Sequence, residues 1–92
     1  MALIVIKKSP VENISKRMWE ITKPGDVIIL VQDGIFWAIN EKSKEYLKDG
    51  VSVYTLKEDL EARGYREEDS IYSCIDYNGW VELIEKNELI IS

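Results

Sequence analysis

Residues Val27 to Val31 read VIILV, five apolar side chains in succession with no polar face to offer water. A strand of that kind is stable only where layers cover both of its sides, the usual situation of a parallel sheet between helices. Leu3 to Ile6 (LIVI) is a second continuous apolar run rich in β-branched residues. Two such runs within 92 residues leave little choice of architecture. A chain this short makes one domain, 1–92, because neither half of a split would keep a core.

The segments between and after these runs fit the same scheme. Ser9-Pro10-Val11-Glu12 has the S-x-x-E form of a capping box, with proline at the first helical position. Val11, Ile14, Met18 and Ile21 follow on one helical stripe, with Trp19 at its flank, and Lys23-Pro24-Gly25 ends the helix. Asp33-Gly34 closes the second strand, and Ile35 to Ile39 reads as a helical turn. Asn40 to Gly50 is polar, a short helix and loop anchored by Tyr46 and Leu47. Val51 to Leu56 alternates, so this third strand is expected to be more exposed than the second. Lys57 to Arg63 is a short helix with Gly64 placed for a left-handed cap. Tyr72 to Ile75 is a fourth strand, Asp76 caps a helix carrying Tyr77, Trp80, Val81 and Ile84 on one stripe, and Leu89 to Ile91 is a fifth strand. The predicted fold is α/β: a three-layer α/β/α sandwich around a mainly parallel sheet of about five strands.

Charge and composition narrow the chemistry. The net charge is −5 and there is no histidine. An acidic chain lacks the basic stripe that binds phosphates, so direct nucleic-acid binding is not expected. Without histidine the commonest general base and the commonest zinc ligand are missing, and no metal or cofactor site is expected. There is no G-x-G-x-x-G and no P-loop sequence. A single cysteine, Cys74, excludes an internal disulfide and fits a reducing compartment. The apolar opening MALIVI is too short for a signal peptide or a membrane span, so the expected location is the cytoplasm, with no membrane partner.

Working groups of an open parallel sheet gather at the carboxyl ends of its strands. Asp33 and Asp76 lie there, either as a carboxylate pair or, as aspartate more often serves, each capping a helix or turn. Gly34 reads as the turn glycine of Asp-Gly. Cys74 is a weak catalytic candidate: a reactive thiol needs a basic neighbour, and Asp76 is the nearer charge. Phe36 and Trp37, beside the tight corner, are either core or anchors for a protein partner. With Tyr77 they complete a candidate functional edge: Asp33, Gly34, Phe36, Trp37, Asp76 and Tyr77. In such a small domain oligomerisation is a natural way to bury more surface. A stand-alone homo-oligomer binding a small ligand at the Asp33/Asp76 edge is a further reading.

The order of motifs is specific in combination: Ser9-Pro10, Gln32-Asp33-Gly34, Val53-Tyr54, Glu58-Asp59-Leu60 with Ala62-Arg63-Gly64, and Ile75-Asp76-Tyr77. From Lys8 to about Leu83 the chain resembles the DsrH/TusB family of sulfur-relay proteins. The resemblance implies the same sandwich and a place beside two related small subunits, of the DsrE/DsrF or TusC/TusD kind, in a heterohexamer. Such a complex passes persulfide sulfur toward thiolation of the wobble uridine of certain tRNAs, or serves sulfur oxidation. The sulfur-carrying cysteine then belongs chiefly to a sister subunit. Some relatives carry a cysteine in the first helix; here that stretch is Lys16-Arg17-Met18-Trp19, and Cys74 lies in a different strand. The resemblance therefore implies an accessory subunit, with a Cys74 persulfide carrier as the alternative.

Overall fold

A computed structural model of the chain describes residues 2–92. Its five strands are Ala2–Ile6 (β1), Val27–Leu30 (β2), Ser52–Leu56 (β3), Ser73–Ile75 (β4) and Leu89–Ile91 (β5). They form one sheet in the order β4-β3-β2-β1-β5 with every pairing parallel. The helices are Asn13–Glu20 (α1), Lys57–Ala62 (α2) and Tyr77–Lys86 (α3), supplemented by 3-10 turns at Gln32–Trp37, Glu41–Glu45 and Glu67–Asp69. Among the described residues no helix is long and apolar enough to cross a membrane.

The two apolar runs become the central strands, and alternate residues face opposite layers. Ile4, Ile6, Ile28 and Leu30 pack with Trp19 and Met18 of α1 and with Trp37, Tyr46 and Leu47. Leu3, Val5, Ile29 and Val31 face the other way, toward Trp80 and Leu83 of α3. This is the three-layer sandwich expected from the sequence. The third strand is also the more exposed one, with Ser52 open and Val53 and Tyr54 half-buried. Four aromatic rings, Trp19, Trp37, Tyr46 and Tyr72, pack on the α1 side. Trp19 and Trp37 lie 5.3 Å apart, and Tyr46 meets Trp37 edge-on at 5.3 Å.

The first helix departs from expectation. Ser9 to Glu12 makes a separate turn, in which the Glu12 amide donates to the Ser9 carbonyl at 3.0 Å. No side chain caps α1. The buried Ser15 hydroxyl is donated to the carbonyls of Ser9 and Glu12, both at 2.8 Å, which binds the turn to the helix and moves the helix start to Asn13. The buried side of α1 is therefore Ser15, Trp19 and Thr22, while Ile14 and Ile21 are exposed. Thr22 satisfies its hydroxyl on the Trp19 carbonyl at 2.7 Å. A tryptophan fills the space against the sheet, and of the apolar stripe only Met18 stays half-buried there while Val11, Ile14 and Ile21 are turned outward.

On α3 a similar rotation occurs. Trp80 and Leu83 reach the sheet, and Tyr77, Val81 and Ile84 remain exposed. Asp76 caps this helix as expected, its Oδ1 accepting from the Gly79 amide at 2.9 Å. Gly64 has φ +85°, and the pair of bonds from the Gly64 and Tyr65 amides to the Glu61 and Leu60 carbonyls closes α2 in a Schellman motif.

Candidate functional site

The motifs scattered through the sequence converge on the carboxyl ends of β2, β3 and β4, where α2 acts as a bracket. Its first-turn acids reach outward to two neighbours. Asp59 Oδ2 accepts the Gln32 amide just past β2, at 2.5 Å, and Glu58 Oε2 accepts the Tyr77 amide at the start of α3, at 3.3 Å. Arg63, in the turn that ends α2, returns to the same corner. Its Nε donates to Asp33 Oδ1 at 3.1 Å and a terminal nitrogen donates to the Asp59 carbonyl at 3.1 Å. Gln32 has φ 50°, a left-handed conformation unfavourable for a residue with a Cβ, and Asp59 holds its amide in place.

Gly34 is required here for closeness rather than for φ. A Cβ on Gly34 would stand 2.0 Å from the Ile6 carbonyl oxygen. Gly34 does sit in the turn after β2, its amide donating to the Val31 carbonyl at 2.8 Å, and that corner also lies directly on the end of β1, where only hydrogen fits. The opening aromatics divide. Trp37 is 2% exposed and belongs to the core, so its side chain offers no surface to a partner in this chain. Phe36 is half-buried and meets Tyr65 edge-on at 6.3 Å.

Asp33 and Asp76 have separate engagements, one with Arg63 and the other with the Gly79 amide, and no hydrogen bond joins them. Tyr77 is exposed and stacks on Trp80 at 6.3 Å. Cys74 sits half-buried on the edge strand β4, in a hollow shared with Lys57, Glu67 and Asp76. Burial pushes its thiol above the ordinary cysteine range, only partly countered by a hydrogen bond with Ser70. Lys57, the one base nearby, is ion-paired with Glu67 at 3.1 Å. Among the described residues no group of three or more histidines, cysteines or carboxylates is gathered as a metal site.

A second region was not singled out by the sequence. The chain winds from β1 to β4 in one direction and then places β5 on the other side of β1, which makes the β1–β5 boundary the topological switch point. A recess of about 230 Å³ opens there, walled by Val5, Ile6, Ile14 and Met18 with Lys7 and Lys8 at its rim. Its hydroxyl, Ser15, is already donated to two carbonyls. Its walls are chiefly apolar. The outward-turned Ile14 was the signal for it, visible only once the orientation of α1 is known.

Fold and site together define a small, doubly wound, all-parallel α/β/α module whose motif residues chiefly lock strand ends to one another. The chain belongs to the DsrH family: the family model described as DsrH like protein matches residues 8–89. Protein TusB of Serratia proteamaculans is 33% identical over 88 residues, covering 92% of this chain and 93% of that protein. Protein TusB of Salmonella dublin is 41% identical over 68 residues, 70% of each. Two NMR structures of the Thermotoga maritima protein Tm0979 share the fold. One has a TM-score of 0.76 at 38% identity, covering 96% of this chain and 95% of that one. The other, which describes its protein as a proposed sulfur transferase, has a TM-score of 0.67 at 39% identity over the whole of both chains.

Proposed function

We propose that this chain is an accessory, non-catalytic subunit of a sulfur-relay assembly. In that assembly related small α/β subunits carry the persulfide, which is delivered toward 2-thiolation of the wobble uridine of tRNA in the cytoplasm. Membership of the DsrH family beside proteins named TusB supports the relay role. The observation that carries the accessory role is the state of the only thiol. Cys74 is half-buried, its pKa is raised by burial, and it lies far along the chain from the first helix, where Trp19 is core and Met18 borders the switch-point recess. A persulfide carrier needs an accessible thiolate. The acidic charge of −5 leaves tRNA to another subunit.

Affinity capture of the full chain from its native lysate tests this. Recovery of small α/β partners of the same fold is expected, and recovery of nothing but further copies of this chain would overturn the reading. The carrier alternative has its own assay. Sulfane sulfur would pass from a donor persulfide to the Cys74 thiolate, releasing the donor thiolate and adding one sulfur to the protein mass. That gain should be missing from the folded chain; a gain abolished by Cys74→Ser would make Cys74 the carrier.

A further inference from the structure

The switch-point recess lies outside the carboxyl ends of two neighbouring strands, β1 and β5, where open parallel sheets take their small ligands. Ile6 ends β1 and is followed by Lys7 and Lys8, and Ser92 follows β5. The buried Val5 and Ile6 line the recess from the strand, and Ile14 and Met18 line it from α1. Ile14 is 60% exposed, because Trp19 occupies the inner side of the helix. An apolar occupant would cover that side chain and remove apolar surface of its own from water.

The rim has one sign of charge. The chain carries 17 acids against 12 bases, yet no aspartate or glutamate side chain lines this recess, whereas both Lys7 and Lys8 do. Both lysines are exposed, and among the described residues neither is paired with an acid. Lys57, in the hollow of Cys74, is by contrast paired with Glu67. Inside the recess the Ser15 hydroxyl is committed to two backbone carbonyls. A polar head group therefore finds its partners in the two ammonium groups, which an acid satisfies and an alcohol does not.

We infer that the recess binds a small carboxylate with an apolar body, its tail against Ile14 and Met18 and its head at Lys7 and Lys8. Mostly apolar pockets with a few polar groups at the mouth orient ligands in this manner. Size sets the class more narrowly. A dry cavity of about 150 Å³ accommodates benzene, so the recess of about 230 Å³ suits a six-carbon acid rather than a long acyl chain. The inference goes beyond the relay reading and does not depend on it.

Titration of the isotope-labelled full chain with hexanoate, followed by amide chemical shifts, tests the site. Shifts should cluster at Lys7, Lys8, Ile14, Ser15 and Met18, with a Kd of a few millimolar, on the order expected for so few atoms. Hexanol should bind more weakly at the same place, and inorganic phosphate should leave these amides unmoved. The double change Lys7→Gln with Lys8→Gln should weaken hexanoate by roughly five- to tenfold and hexanol by less than about twofold. Ile14→Asn, at an exposed position, should weaken both several-fold, with thermal melts confirming that each variant is folded. Absence of localised shifts at about 20 mM hexanoate, well above that Kd, would overturn the inference and leave the recess to a protein side chain. So would hexanol binding as tightly as hexanoate, or phosphate alone giving the same shifts. Lysate capture reads protein partners and can succeed or fail whatever this titration gives, so the two readings are separable.

Discussion

Arg63 and Asp33, thirty residues apart in the chain, meet through Nε and Oδ1 at 3.1 Å, and this contact joins the turn after α2 to the corner after β2. Asp33 is 60% exposed along its side chain, so solvent screens the pair. Asp33→Asn should therefore cost less than about 1 kcal/mol. Asp59→Ala should cost more, about 1–2 kcal/mol, because it removes the acceptor that holds the left-handed Gln32 amide. Urea titration of both variants checks the order; equal losses would show that Asp59 does not hold the corner.

Gly34 and Gly64 should respond differently to alanine. At Gly34 the new methyl meets the Ile6 carbonyl at 2.0 Å, so either the corner or β1 must move. A loss above about 3 kcal/mol is expected, enough to lower Tm by 12 °C or more at roughly 4–8 °C per kcal/mol. At Gly64 nothing lies within 4 Å and only the positive φ is at stake, a cost of about 1–2 kcal/mol. Thermal melts of the two variants give the comparison directly.

Phe36→Ala and Trp37→Ala separate surface from core. Removing the fully packed Trp37 ring, which touches Trp19 and Tyr46, should destabilise the chain by about 3–5 kcal/mol. Removing half-buried Phe36 should cost about 1–2 kcal/mol. Under the accessory-subunit reading it should also lower the yield of captured partners. If capture by Phe36→Ala is unchanged, Phe36 is no docking anchor.

Asp26 should give stability an acid limb. Its two oxygens accept the Ala2 amide at 2.9 Å and the Lys23 amide at 3.0 Å, and the bond from Ala2 is the chief cause of its lowered pKa. A depressed carboxylate stabilises the fold above its unfolded pKa and ceases to do so as pH falls through the folded one. Stability should thus decline below about pH 4, and Asp26→Ala should flatten that decline. Denaturation midpoints from pH 3 to 7 measure it.

The Cys74 thiol should be slow to alkylate. Its pKa is raised, first by burial, so at pH 8 the folded protein should react several-fold more slowly than the urea-unfolded chain. The same shift means that stability falls as pH rises through the unfolded thiol pKa, since the folded state keeps its proton longer. Iodoacetamide kinetics in the two states test the first point, and a rate in the folded state that matches or exceeds the unfolded one would contradict it.

The sheet was readable from the sequence because β1 and β2 carry no polar side, and such strands have one stable setting. The same held for the Asp76 cap and the Gly64 terminus, where one residue determines local geometry. The orientation of α1 was not readable. Its spacing marks Val11, Ile14, Met18 and Ile21 as one side, but a helix with Trp19 and two hydroxyl residues on another side can bury that one instead. Ser15 and Thr22 are tolerated inside because carbonyls one turn back accept their protons. The bracket formed by Glu58, Asp59 and Arg63 was visible as a motif but not as a contact, since it links segments nineteen to thirty positions apart. Trp37 and Phe36 are adjacent, and only the direction of the 3-10 turn decides which enters the core.

The position of β1, between β2 and β5, sets a condition on synthesis. β1 cannot be flanked on both edges until β5 has left the ribosome. A nascent chain stalled before Leu89 would present LIVI, an unguarded template for cross-strand aggregation, for the length of the pause. Codon-level slowing just before β5 should therefore lower soluble yield more than equal slowing elsewhere.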